Sequence, residues 1–273
     1  MHHGSLSAWR TMSDMTINTV PQLQVDTDRP TVLYDEDGHR IYWLGITEVT
    51  AFRCNAYLIH DGREAILVDP GSKAFFGQVR ERVAQILPPE QVTGMVLCHQ
   101  DPDVAASMVD WLDLNPAIRV YTTPRTQVLL PHYGCRDYDY CDVTAQPSLE
   151  LPSGARLRFV EAPFLHFPGA FTTYDARARF LFSGDIWAAL DLDWTLLVEN
   201  FEEHIAKMNL FHLDYMASNL AARGFVQRIK TLPIDAILPQ HGSIIPARDV
   251  AAALAYLRSL RCGTDILYAA LDG

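Results

Sequence analysis

The chain has 273 residues, 49% of them hydrophobic and 20% charged, enough to bury the core of one large domain or two small ones. Its formal net charge of -11 excludes a protein that binds nucleic acid or an anionic membrane through its overall charge. No apolar stretch approaches the ~20 residues needed to span a bilayer, and the N-terminus lacks a signal-type hydrophobic core, so a cytoplasmic protein is expected.

Residues 1–28 are polar and without clear periodicity. They read as a flexible extension whose opening Met1-His2-His3-Gly4-Ser5 looks like a tag remnant. From residue 29 to 273 the chain reads as one domain. Short runs rich in Val, Ile, Leu and aromatic residues recur as Thr31–Tyr34, Arg40–Leu44, Ala56–His60 and Ala65–Asp69, and their close spacing implies antiparallel strands. Phe75, Phe76, Val79, Val83, Ile86 and Leu87 fall at helical spacing, and Pro88-Pro89 ends that helix. A strand at Met95–Cys98, a helix at Asp103–Leu114 and a strand at Ile118–Tyr121 follow. The second half repeats the grammar, with strands near Leu157–Val160, Phe171–Tyr174 and Phe180–Phe182. A long helical stretch then runs from Asn200 to Lys230, broken near Gly224 or before Met208; Ile234–Leu238 and a helix over Val250–Leu260 close the domain. Two β-rich halves, each ending in helices, predict an α/β fold in four layers, an αββα sandwich.

The five cysteines (Cys54, Cys98, Cys135, Cys141, Cys262) are odd in number and scattered. Cys135 and Cys141 lie six apart, which fits neither a redox dithiol nor a zinc ribbon, so reduced thiols are expected. There is no Gly-x-Ser-x-Gly elbow, no P-loop and no Gly-x-Gly-x-x-Gly.

At four places an apolar run ends in a residue able to bind metal: His99 with Asp101 and Asp103, then His166, Asp185 and His241. Strand ends of one sheet share an edge, so these residues can converge. Imidazole and carboxylate suit divalent transition metals, and six donors point to two ions sharing a bridging carboxylate. In an extended loop alternate side chains point the same way, which would project His99 and Asp103 from one side. Taken singly, each residue also has a bland reading. Asp103 fits a helix N-cap, His99 a hydrogen-bonded strand end, His166 a packed side chain and Asp185 a turn former after Gly184. His39, His60, His132 and His204 read as loop or surface residues.

The order His99-x-Asp101-x-Asp103, His166, Asp185, His241, with 62, 18 and 55 residues between successive segments, resembles the metallo-β-lactamase superfamily. Within it, the likeness is to the diiron domain of flavodiiron proteins and to oxygen-binding diiron proteins. Asn55-Ala-Tyr57-Leu58-Ile59, Val68-Asp69-Pro70, Phe182-Ser183-Gly184-Asp185 and Gln240-His241-Gly242 also match, over roughly residues 30 to 260. The resemblance implies two iron ions, with manganese or zinc as alternatives. One would take His99, Asp101 and His166, the other Asp103 and His241, with Asp185 bridging and Asp69 holding the ligand loops. Two departures stand out. Asp101 occupies a position where flavodiiron relatives carry Glu and hydrolytic members carry His, and Val104 stands where a further His is usual. A carboxylate at 101 makes the site harder and favours iron or manganese over a zinc hydrolase site.

His212 and Tyr215, one helical turn apart, are candidates to hydrogen-bond a metal-bound diatomic; the alternative is that Tyr215 is core and His212 surface. No flavodoxin-like module follows residue 260, so electrons would have to come from a separate protein. The resemblance therefore implies a protein binding dioxygen or nitric oxide, as a sensor or carrier working with a signalling partner. The alternatives are an O2 or NO reductase served by a separate donor protein, a metal-dependent hydrolase on the same fold, or a scaffold with a decayed site. Enzyme status stays open, with an oxidoreductase ahead of a hydrolase. No nucleic-acid or membrane partner is expected, and dimeric relatives leave a homodimer open.

Overall fold

The computed structural model describes residue 17 and residues 25–46, 51–134 and 137–271. Most of the expected N-terminal extension, and Cys135, lie outside the described residues. The first half opens with four antiparallel strands, β1 (Thr31–Glu36), β2 (His39–Ile46), β3 (Asn55–Asp61) and β4 (Glu64–Val68). The β1–β2 turn is made by Asp37 and Gly38, both at positive φ, as a two-residue hairpin requires. Next come α1 (Phe76–Val83), β5 (Gly94–Val96), α2 (Pro102–Ala105), α3 (Met108–Leu114), β6 (Arg119–Thr122), α4 (Pro124–Gln127) and β7 (Asp139–Asp142). From β4 to β7 the pairing is parallel, and the seven strands form one sheet in sequence order.

The second half builds a six-stranded sheet from β8 (Ser148–Glu150), β9 (Arg156–Glu161), β10 (Phe171–Asp175), β11 (Phe180–Gly184), β12 (Ala236–Pro239) and β13 (Ile245–Pro246). Helices α5 (Phe201–Tyr215) and α6 (Asn219–Ile229) precede β12; α7 (Ala247–Ser259) and α8 (Thr264–Leu267) follow β13. The β11–β12 pair is parallel, as its long helical crossover dictates.

Three apolar cores give the layering. One lies between the sheets and includes Trp43, Tyr57, Phe171 and Phe182, with Tyr57 and Phe182 edge to face at 5.4 Å. A second joins Trp187, Phe211 and Phe225 to the helices over the six-stranded sheet. A third packs Val79, Val83, Met108 and Trp111 against the seven-stranded sheet. Three interfaces make four layers, the expected αββα order. Strands between two layers are covered on both faces, which is why β10 and β11 are buried throughout, the threonines and Asp175 of β10 included.

Several expectations need correction. The helix expected over 103–114 is two, because the Ser107 N–H donates to Gly71 O at 3.2 Å and leaves the helical ladder. The stretch 200–230 breaks at Met216–Ser218, neither at Gly224 nor before Met208. Met216 is extended, and the Ser218 side chain accepts from Ala221 N to start α6. His39 is not a surface residue. It is fully buried, with Nδ1 2.7 Å from Asp61 Oδ2 and Nε2 2.8 Å from Asp175 Oδ2. His204 is buried as well, and desolvation lowers its pKa to about 4. No helix among the described residues is long and apolar enough to cross a membrane.

Candidate metal centre

The candidate ligands sit past strand ends or in the connecting loops, except Asp103, which lies in the first turn of α2. After β4 the chain turns at Asp69, which has a positive φ and whose Oδ1 accepts from the Cys98 N–H at 3.0 Å. Asp69 thus fixes the segment leading from β5 to His99. Burial raises the Asp69 carboxyl to about 6, opposed by that same Cys98 N–H. Asp101 precedes α2 and Asp103 lies in its first turn, so the N-cap position belongs to Asp101. His166 is carried by the loop between β9 and β10, whose Leu165–His166 peptide is cis. Asp185 follows β11 at Gly184, where φ is +56° and an added Cβ would meet Cys98 Sγ at 2.8 Å. The glycine makes room for Cys98.

The His241 turn is held from several sides. Asn55 Nδ2 donates to Pro239 O at 3.0 Å and to Gly242 O at 2.8 Å, and Tyr57 Oη donates to Pro239 O at 2.8 Å. The Asn55-Ala-Tyr57 phrase therefore works on the ligand loop, not on the centre itself. His241 Nδ1 donates to Arg53 O at 2.9 Å, which leaves Nε2 facing the carboxylates.

The side chains form two clusters. In the first, His99 Nε2 lies 3.2 Å from Asp185 Oδ2 and 3.5 Å from Asp101 Oδ2. His166 Nε2 lies 2.9 Å from Asp185 Oδ2 and 3.3 Å from Asp101 Oδ2. In the second, His241 Nε2 lies 3.1 Å from Asp103 Oδ2 and 3.6 Å from Asp185 Oδ1. His99 and Asp103 thus part company, contrary to the alternation expected of an extended loop, because α2 begins between Asp101 and Asp103. Asp185 alone faces both clusters, one oxygen to each.

The arrangement fits a pair of cations. His99 Nε2, His241 Nε2 and Asp185 Oδ1 are buried and lack a hydrogen-bond partner. Their imidazole–carboxylate contacts are 3.1–3.6 Å long yet leave these atoms without a hydrogen bond, and buried polar atoms are rarely left so. Burial works against the charge on Asp185, yet His99 and His166 hold its carboxyl well below the usual range. Burial likewise lowers the imidazoles, but Asp101 and Asp185 overcome it and lift His166 to about 9. Three gathered carboxylates demand positive charge; cations meet that demand and leave the imidazoles neutral.

The two candidates on α5 separate. His212 is buried, not a surface residue. Its Nε2 accepts from the Trp187 N–H at 2.9 Å and its Nδ1 donates to Met208 O at 2.9 Å. With both ring nitrogens occupied it has no donor left for a diatomic, and it holds the backbone after Asp185 instead. Desolvation lowers its pKa to about 4. Tyr215 is not core; it is 53% exposed, stacked on Phe211 at 4.5 Å and edge-on to His166 at 5.9 Å. Sequence reasoning missed three further neighbours. Phe52 packs 4.2 Å from the His241 ring. Cys98 Sγ lies 3.0 Å from His99 Nδ1, and Cys54 joins the second cluster. For Cys54 no local signal was available, since it precedes its strand and meets His241 only through a long-range bridge.

Comparison with known proteins follows the same lines. A chemotaxis sensor, ODP, captured as a peroxy diiron species, is 33% identical with a TM-score of 0.77, covering 88% of this chain and 99% of that one. Its apo state, from T. denticola, is 32% identical with a TM-score of 0.75, over 88% and 98%. The diflavin flavoprotein A 1 of Synechocystis sp. is 28% identical over 54% of this chain. The nitric oxide reductase of Moorella thermoacetica is 28% identical over 70% of it. The chain spans 27% of the length of the first of these two relatives and 49% of the second. The family model described as ODP family beta lactamase matches residues 52–242, a stretch that holds both clusters, and the chain belongs to that family.

Proposed function

We propose that residues 29–273 form one non-haem diiron domain that binds dioxygen as a sensor or carrier. The observation that carries this reading is the division of Asp185, with Oδ2 toward His99 and His166 and Oδ1 toward His241, the arrangement of a carboxylate shared by two ions. Likeness to the chemotaxis sensor ODP over nearly the whole of its chain supports it. Iron is favoured over manganese or zinc because Asp101 adds a hard oxygen donor beside two imidazoles.

In this reading His99, Asp101 and His166 hold one iron, Asp103 and His241 the other, and Asp185 bridges. The iron pair supplies the electrons and open positions that a diatomic ligand needs. Asp69 keeps the His99 loop in register through Cys98, and His212 does the same for the backbone after Asp185. Phe52 and Phe211 pack their rings against His241 and His166 and shield those imidazoles from water. Tyr215, beside His166 at the exposed rim, is the residue of α5 placed to meet an entering ligand. The reading takes the protein to be cytoplasmic, with thiols reduced, and a signalling partner to read out its state. A homodimer is compatible with it.

A second reading rests on the likeness to the Moorella nitric oxide reductase: the same centre reduces O2 or NO with electrons from a separate donor protein. Anaerobic loading with Fe(II), metal analysis and exposure to air separate the readings. The sensor retains about two irons per chain, develops a visible absorption band in air, and takes up O2 once. Sustained O2 or NO consumption with an added flavoprotein or rubredoxin donor supports the reductase. Stoichiometric zinc with ester cleavage, or no retained metal, overturns both.

A further inference from the structure

We propose that Cys54 is a protein ligand of the second metal, supplying the donor that valine at position 104 cannot; the inference rests on the diiron reading above. Asp103 and His241 give the second cluster two donors of its own beside the shared Asp185. Val104 is fully buried in the apolar core between the seven-stranded sheet and its helices and offers nothing to a cation. The third donor comes from another part of the chain. Cys54 stands immediately before β3 and pairs with His241 in an isolated antiparallel bridge. The next residue, Asn55, donates its N–H to Gln240 O at 2.6 Å.

That pairing sets Cys54 Sγ 3.8 Å from Asp103 Oδ2 and 3.9 Å from His241 Nδ1. One donor atom from each of the three lies within 4.8 Å of the others. Ligands at roughly 2.0–2.3 Å from a tetrahedral ion stand roughly 3.4–3.8 Å apart, so the Sγ–Oδ2 separation is that of two ligands on one ion. An independent feature points to the same place: His241 Nε2 is buried, unpartnered and 3.1 Å from Asp103 Oδ2. Cys54 is 3% exposed and forms no disulfide, so its sulfur is sheltered from oxidants in bulk solvent. Burial alone would suit a thiol packed among hydrocarbons, but this one is beside a carboxylate and an imidazole.

Cys98 provides the contrast. Its Sγ meets His99 at Nδ1, the ring nitrogen remote from the Nε2 that faces Asp101 and Asp185. Cys98 is not among the donors gathered in the first cluster, His99, Asp101, His166 and Asp185, whereas Cys54 is among those of the second. On metal binding the Cys54 thiol releases its proton to solvent and its sulfur bonds the cation. The two positions then differ in character. The first has two nitrogens and two oxygens; the second has one nitrogen, two oxygens and a sulfur, and is softer.

X-ray absorption at the iron edge tests this on the full chain loaded with Fe(II). A sulfur shell at about 2.3 Å is expected in the wild type and in Cys98→Ser, and is expected to vanish in Cys54→Ser. Titration with a chelator should show the second metal of Cys54→Ser held roughly tenfold or more weaker, with the first unchanged. Two irons per chain with only nitrogen and oxygen shells would overturn the assignment of Cys54 and leave the diiron reading standing. A sulfur shell lost in Cys98→Ser would also overturn it. Absence of stoichiometric metal would overturn both. Should Cys54→Ser not fold, the wild-type shell and its persistence in Cys98→Ser decide the matter.

Discussion

Asp185 carries more of the centre than any other single side chain, because its two oxygens face different clusters. Asp185→Asn keeps the shape and removes the charge, so both metals should weaken. After dialysis of Fe(II)-loaded protein, metal analysis is expected to find well under one ion per chain. Asp103→Asn, which touches only the second cluster, is expected to retain about one. Equal losses in the two variants would refute a bridging role for Asp185. This residue was readable in the sequence because it ends an apolar strand, and strand ends share an edge whatever their separation along the chain. His99 and His241 were readable on the same ground; His166, expected at the end of an apolar run, lies in the loop beyond β9, which ends at Glu161. Cys54 was not readable, since it precedes its strand and meets His241 only through a bridge across 187 residues. The His39 contacts to Asp61 and Asp175 were hidden likewise, the second spanning 136 residues, and neither carboxylate lies in a periodic pattern that marks it as buried.

Elements with strong periodicity and hard stops were legible, and those fixed by tertiary contacts were not. The crossover into β12 follows from local chemistry, whereas α1 ends at Val83, ahead of the stop expected at Pro88-Pro89. The break between α5 and α6 depends on Ser218 acting as a cap, a signal present in the sequence but masked by the continuous helical pattern around it. Short β7 and β8 carry little burial of their own and take strand form from their neighbours. Helix α5 matters to the site through its last turn. There His212 Nε2 accepts the Trp187 N–H, two residues beyond Asp185. His212→Leu would leave that buried N–H without an acceptor, a loss of about 1–3 kcal/mol, read by urea unfolding of the apoprotein. His212→Gln, whose side-chain oxygen can accept, should recover part of it. If Leu and Gln behave alike, the Trp187 contact is not what His212 contributes.

At the scale of the whole molecule, the two sheets are joined by polar groups at opposite ends. At the metal edge, His99, Asp101 and Asp103 follow the seven-stranded sheet, while His166, Asp185 and His241 belong to the six-stranded one. At the other end His39 and Asp61, from β2 and β3, meet Asp175 of β10. The length of β3, from Asn55 beside the His241 turn to Asp61, separates them; at about 3.4 Å per residue this is roughly 20 Å. Removing one partner of a buried charge group costs about 3–5 kcal/mol, so His39→Gln should destabilise strongly without altering metal content. Burial lowers the His39 imidazole, but its two carboxylates outweigh that and raise its pKa above 6.5. The folded state therefore binds the proton more tightly than the unfolded chain. The stabilisation is complete below about pH 6.5 and fades as pH rises through the raised folded value. The gap in unfolding free energy between wild type and His39→Gln is thus expected to narrow from pH 6 to pH 9. Stability conferred by bound metal behaves oppositely, since the ligands must shed protons to bind. At fixed pH and Fe(II), the costs of His39→Gln and Asp185→Asn should sum in the double variant to within about 0.5 kcal/mol. A larger discrepancy would mean that the two ends communicate through the sheets, and that loading the metal edge changes how tightly the far end is clamped.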